Sequence, residues 1–151
     1  MNRPAIAPSS TTAEGDATSP QPGARLRILL ADGDRALRQL IAFVLRNEGH
    51  EVVEASDGSE LLEAIAALVI DGTRPFDVII SAQAIPGIPG VSVLAGLRSR
   101  GRRTPFVLMT GNPMVQAQAK RLGAIALDRP FDAAAIRNAI VQADALVDPE
   151  G

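Results

Sequence analysis

Cysteine is absent from the 151 residues, which excludes a disulfide framework, a thiolate zinc site and a cysteine nucleophile, and fits a reducing cytoplasm. Histidine is nearly absent: His50 follows Gly49, has no metal-ligating neighbours in sequence and reads as a surface residue. Aromatic residues amount to four phenylalanines, with no tryptophan or tyrosine. There is no basic excess either, since 15 Lys and Arg against 17 Asp and Glu leave a formal charge of -2. That balance argues against general affinity for nucleic acid or acidic membranes. The start of the chain lacks the apolar run of a secretory leader, because prolines, Ser and Thr follow Arg3. Residues 78–97 carry no charge and are long enough to suggest a membrane span. Pro86, Gly87, Pro89 and Gly90 interrupt them, however, and a strand, a turn-rich loop and a short helix account for the run better.

What is present is an ordinary globular composition, 46% apolar and 21% charged, in a chain long enough for one domain with a proper core. Residues 1–24 hold Pro4, Pro8, Pro20 and Pro22 among Ser, Thr, Ala and Gly. They offer too little apolar area to offset the entropy of ordering them, so a disordered tail is expected there. The folded domain is expected over 25–147, with a short C-terminal tail at 148–151.

From Arg27 to Ala31 a compact apolar run marks a strand buried on both faces. Beyond Asp32-Gly33-Asp34, Leu37, Leu40, Ile41, Val44 and Leu45 form one helical stripe, stopped by Gly49. Glu51–Ala55 is a second strand. Asp57 and Glu60 have the spacing of a capping box for the helix carrying Leu61, Leu62, Ile65, Leu68 and Val69. Phe76–Ala82 is a third strand, and a short helix lies near Val91–Arg98. Pro105–Met109 is a fourth strand, and Asn112 caps a helix with Pro113 at its first position. Gly123 ends that helix, and Ala124–Leu127 is a fifth strand. Asp132 caps the last helix, with Ile136, Ile140 and Val147 inward. Five strands alternating with five helices predict an α/β fold, a parallel sheet with helices on both faces. Function in such sheets gathers at the carboxyl ends of the strands, where strand order reverses.

Over residues 25–145 the chain resembles the receiver domains of bacterial two-component response regulators, of the chemotaxis-regulator kind. The resemblance is carried by Asp32 and Asp34 after the first strand, Asp57-Gly58, and Asp77. It continues through the Pro86-Gly87 loop with Gly90, Thr110 at the end of the fourth strand, and Arg129-Pro130-Phe131. It implies a flavodoxin-like (βα)5 topology with strand order 2-1-3-4-5. It also implies phosphoryl transfer to an aspartate ending the third strand, with Mg²⁺ held by acids after the first strand and a lysine and a hydroxyl binding the product.

Counting from Asp77 to Pro86-Gly87 puts that acceptor position on Ala82, which has neither nucleophile nor metal-ligand oxygen. Ser81 and Gln83, one residue to either side, are not carboxylates. Gly33 stands where the family has its second acid, and Arg129 where it has lysine, a flat fork instead of a point charge. Fourteen of the fifteen basic residues are arginine, so that exchange can reflect composition; an Arg129–Asp32 ion pair would fill the pocket. Thr110, with no phosphoryl group to bind, would bond local backbone. The expectation is a degenerate phosphorylation pocket of Asp32, Gly33, Asp34, Ala82, Thr110, Arg129 and Pro130, with no catalytic residue and no metal site. Mg²⁺ binding is expected to be weak or absent, and the chain not to be an enzyme.

The leading functional reading is a stand-alone, cytoplasmic pseudo-receiver. It would contact a kinase, output or adaptor protein through the face of the fourth helix, fifth strand and fifth helix, with a homodimer open and no nucleic-acid or membrane partner. Two alternatives remain. One is a conventional phosphorelay receiver using a displaced acid such as Asp32 or Asp34. The other is a haloacid-dehalogenase-like phosphatase, which Asp32-Gly33-Asp34 and Val107–Gly111 resemble, with Asp32 as nucleophile and Asp34 as acid/base. The cluster Arg98, Arg100, Arg102 and Arg103 has no aromatics beside it for stacking bases and reads as a solvated loop.

Overall fold

The computed structural model describes residues 25–71, 75–128 and 132–146. Both expected tails, together with Arg129, Pro130, Phe131 and Val147, lie outside the described residues, as do the side chains of Leu68 and Val69. The elements follow in strict alternation: β1 (Arg27–Ala31), α1 (Arg35–Asn47), β2 (Glu51–Ala55), α2 (Gly58–Asp71), β3 (Val78–Ala82), α3 (Gly90–Ser99), β4 (Phe106–Met109), α4 (Pro113–Arg121), β5 (Ile125–Leu127) and α5 (Ala133–Leu146). The five strands form one sheet in the order β2-β1-β3-β4-β5, and every neighbouring pair is parallel. This is the fold class and strand order expected from the sequence.

Burial explains why the central strands read as unbroken apolar runs. All five residues of β3 are buried, and so are the last four of β1. Helices cover both faces, so neither face needs polar residues. Ile28, Leu29, Leu30, Ile79, Ile80 and Leu108 sit at the middle of the core, and each large apolar side chain removed from water contributes roughly 1.5–3 kcal/mol. The uncharged run 78–97 is indeed a strand, a loop and a helix, and no described helix is long and apolar enough to cross a membrane.

The starts of α4 and α5 follow the capping residues read from the sequence, Asn112 and Asp132, and Asp34 caps α1 in the same way. Asp34 accepts from the Leu37 N–H at 3.1 Å, Asn112 from Met114 at 2.9 Å and Val115 at 3.3 Å, and Asp132 from Ala135 at 2.9 Å. Each satisfies donors the helix cannot pair internally. The capping box at α2 differs from expectation. Asp57 does accept from the Glu60 N–H at 2.8 Å, but Glu60 reaches past Asp57 to Ser56, taking its N–H at 2.6 Å and its hydroxyl at 2.8 Å. These bonds to Ser56 hold the Glu60 carboxyl below its usual range.

The strand ends also differ in detail. β3 begins at Val78 rather than Phe76, since the Asp77 carboxylate turns aside to accept the Arg27 N–H at 2.7 Å. His50 is not a free surface residue. It is half-buried, and its Nδ1 accepts the Leu26 N–H at 3.0 Å, tying the turn after α1 to the entry of β1.

Candidate functional site

The strand order reverses between β1 and β3, so the crevice at their carboxyl ends is where this architecture builds sites. Register brings the expected residues together there. Ala31 pairs with Ser81 and Ala82 with Met109; one step on, Asp32 comes abreast of Ala82, and Thr110 follows Met109 on the other flank.

Ala82 is buried, 3% exposed, and offers the pocket only a methyl group. The chain after it turns tightly: the Gly90 N–H donates to the Gln83 carbonyl at 3.0 Å, and the Gln83 Oε1 accepts the Val91 N–H at 2.8 Å. Gln83 thereby caps α3 from seven residues upstream of its first residue, a role Pro89 at the cap position cannot fill. A Cβ on Gly90 would stand 2.4 Å from the Ala82 carbonyl oxygen and 2.8 Å from Leu108 Cδ1. Only glycine permits α3 to start this close to the end of β3. Ser81 is wholly buried, and its hydroxyl donates to the Ala82 carbonyl at 2.9 Å.

Asp32 is 2% exposed. Its Oδ1 accepts the Asp34 N–H at 2.9 Å, and its backbone carbonyl accepts from Arg38 Nη1 at 2.8 Å. Arg38 is braced in turn by Glu54 at 3.0 Å. Asp34 is exposed, with its carboxylate capping α1. Gly33 lies under Pro86: a Cβ there would be 2.9 Å from Pro86 Cδ. Pro86 is itself pinned, its carbonyl accepting the Gly58 N–H at 2.9 Å. Thr110 Oγ1 accepts the Asn112 N–H at 3.1 Å, a local backbone bond of the kind expected.

Mg²⁺ takes several oxygens in octahedral array; of the expected positions Asp32 and Asp34 carry carboxylates, and Gly33 and Ala82 supply no side-chain oxygen. Among the described residues no group of three His, Cys, Asp or Glu is placed to hold a metal. Asp32 and Asp34 each accept a local backbone N–H, from Asp34 and Leu37 respectively. The Arg129 and Pro130 positions, and with them the expected Arg129–Asp32 pair, lie outside the described residues.

Sequence reasoning missed the residues that shape this pocket without being acidic. Arg38 and Gln83 brace and cap it, and Pro86, named from the sequence only as part of the loop, stands against Gly33. The one legible signal was for Arg38, one helical turn after the Asp34 cap. Of the arginine cluster, Arg100, Arg102 and Arg103 are exposed, as a solvated loop would be, and Arg98 differs. Arg98 is half-buried and donates to the Leu122 carbonyl at 2.7 Å, the Arg102 carbonyl at 3.0 Å and the Gly123 carbonyl at 3.4 Å.

Comparison with known proteins agrees with this geometry. The family model described as the response regulator receiver domain matches residues 28–141. The transcriptional regulatory protein FixJ of Azorhizobium caulinodans is 33% identical over 120 residues, covering 76% of this chain and 53% of that protein. The response regulator MprA of Mycolicibacterium vanbaalenii is 34% identical over 109 residues, covering 70% of this chain and 45% of its own length. The chain thus spans about half the length of these curated relatives. Among solved structures, the chemotaxis response regulator CheY4 of Vibrio cholerae superposes with a TM-score of 0.63 at 26% identity, covering 79% of this chain and 98% of that one.

Proposed function

This chain belongs to the response regulator receiver domain family, and on that premise we propose that it is a pseudo-receiver, a member that signals by protein–protein contact without aspartyl phosphorylation. The observation that carries this reading is Ala82, buried at the end of β3 abreast of Asp32, where a carboxylate would have to stand to attack a phosphoryl donor. Gly33 supports it, because it offers no carboxylate where the family has its second metal-binding acid. Mg²⁺ is then not a working cofactor, and the chain is not an enzyme.

In a phosphorylated receiver the modification biases a two-state equilibrium that partners read. Without it, the partner's own binding energy and concentration set that equilibrium. The partner is a kinase, output or adaptor protein, met in the cytoplasm on the face of α4, β5 and α5. Exposed large apolar side chains on α4 and α5, Met114 at 81% and Val141 at 67%, support that choice, although Leu40 and Phe43 on α1 are exposed to a similar degree. Phosphorylation on a displaced acid is disfavoured by the bonds that already occupy Asp32 and Asp34.

The test is incubation of the whole chain with Mg²⁺ and a small-molecule acyl phosphate, followed by intact-mass analysis. The proposal expects no phosphoryl adduct. An acyl-phosphate adduct mapped by fragmentation to an aspartate sinks it; one on Asp32 or Asp34 would make the chain a conventional receiver with a displaced acceptor.

A further inference from the structure

At the opposite end of the sheet, where β4 and β5 begin, four arginines line one open cleft of about 270 Å³. Its walls are Arg98 from α3, Arg102 and Arg103 from the segment entering β4, and Arg121 with Leu122 and Gly123 at the end of α4. No carboxylate lines it, and among the described residues none pairs with Arg102, Arg103 or Arg121. This is unexpected in a chain whose overall charge is negative.

Part of the cluster has a structural role. α3 and α4 both end at this cleft, and each helix C-terminus carries about half a negative charge. Arg98 answers that charge directly through the Leu122 and Gly123 carbonyls. Two helix ends offset about one of the four positive charges, leaving roughly three without compensation. Burial, and after it the charge of Arg103, lowers the pKa of the Arg98 guanidinium from its ordinary value. An anion held between these groups would relieve that repulsion.

We propose that this cleft binds an oligophosphate, recognising two or more linked phosphates through its arginines alone. Guanidinium forks match phosphate oxygens in paired hydrogen bonds, and about three uncompensated charges call for more than one phosphate. None of the lining residues is aromatic, so a nucleobase attached to such a ligand finds no stacking platform. The ligand can come free, as inorganic pyrophosphate, or as the diphosphate of a nucleotide. The site is separate from the β1–β3 crevice and stands or falls independently of the pseudo-receiver reading.

The experiment is an NMR titration of the whole chain at constant ionic strength, following the amides of Gly101, Arg103 and Gly123. Probes are orthophosphate, pyrophosphate, adenosine diphosphate and guanosine diphosphate. The proposal expects saturable shifts of equal affinity for the three diphosphates and binding at least about tenfold weaker for orthophosphate. Arg102→Gln with Arg103→Gln should weaken all three at least about tenfold with an unchanged thermal melt. Arg103→Gln alone serves if the double variant fails to fold. Equal affinity for orthophosphate and pyrophosphate, a preference for either base, or binding unaffected by the variants would each overturn it.

Discussion

Pro86 lies so close over Gly33 that a β-carbon on that glycine would stand 2.9 Å from the proline Cδ. A side chain on Gly33, although the position is exposed, would therefore first have to displace the Pro86 ring. Gly33→Asp should destabilise the fold by about 1–3 kcal/mol through overpacking. Pro86→Ala, added to it, should restore most of the loss. Urea denaturation of the single and double variants checks this; a single variant within about 0.5 kcal/mol of the parent would show that the loop yields freely.

Gly90 depends on its missing side chain more severely. A Cβ there meets the Ala82 carbonyl oxygen at 2.4 Å and Leu108 Cδ1 at 2.8 Å, so both backbone and core must move. Gly90→Ala should cost about 3 kcal/mol or more, whereas Gly87→Ala, at a φ of 94° with open space around it, should cost about 1 kcal/mol. Paired chemical melts give both values.

Arg98 joins three carbonyls from two segments, and truncating it leaves them to water or unpaired. Arg98→Ala should destabilise by about 1–3 kcal/mol and raise hydrogen exchange over residues 119–124. Arg98→Lys keeps the charge but not the fork and should recover less than half of the loss. Equal stability of the two variants would contradict the hydrogen-bonding role.

His50 predicts an acid-side loss of stability. Burial lowers its pKa in the fold, against the opposing pull of Glu48 and Asp77, and protonation at Nδ1 would break its bond to the Leu26 N–H. Because the folded-state value lies below the unfolded value of about 6.5, the unfolded chain binds more protons in between. The contribution of His50 is fully present above about pH 6.5 and declines as pH falls toward the folded pKa. Urea midpoints measured down from about pH 7.5 should show this slope, and His50→Gln should flatten it.

The fold was legible because each signal had a local cause. Apolar runs such as Ile28–Leu30 mark strands covered on both sides, and Asp34, Asn112 and Asp132 start helices by chemistry that needs no tertiary context. Ala82 and Gly33 were legible as departures from a pattern, since an absent carboxylate needs no coordinates to be noticed. What closes the pocket was not legible. The contact of Pro86 with Gly33 and the reach of Gln83 to Val91 are set by how the loop folds back over two strands. His50 and Arg98 were misread for a related reason: both looked like surface residues in sequence, and both find backbone partners, Leu26 for His50 and Leu122 and Gly123 for Arg98, about 24 residues away. Arg129 and Pro130 were legible as family positions and lie outside the described residues.

The central claim is that the β1–β3 crevice cannot hold a phosphoryl group. It is tested most directly by titrating the ¹⁵N-labelled chain with Mg²⁺ and beryllium trifluoride, a mimic of an aspartyl phosphate, while following the amides of Gly33, Ala82 and Thr110. The account predicts no saturable shift at these three positions beyond the effect of added salt. Saturable, Mg²⁺-dependent shifts converging on them would contradict it and return the chain to the phosphorylated receivers.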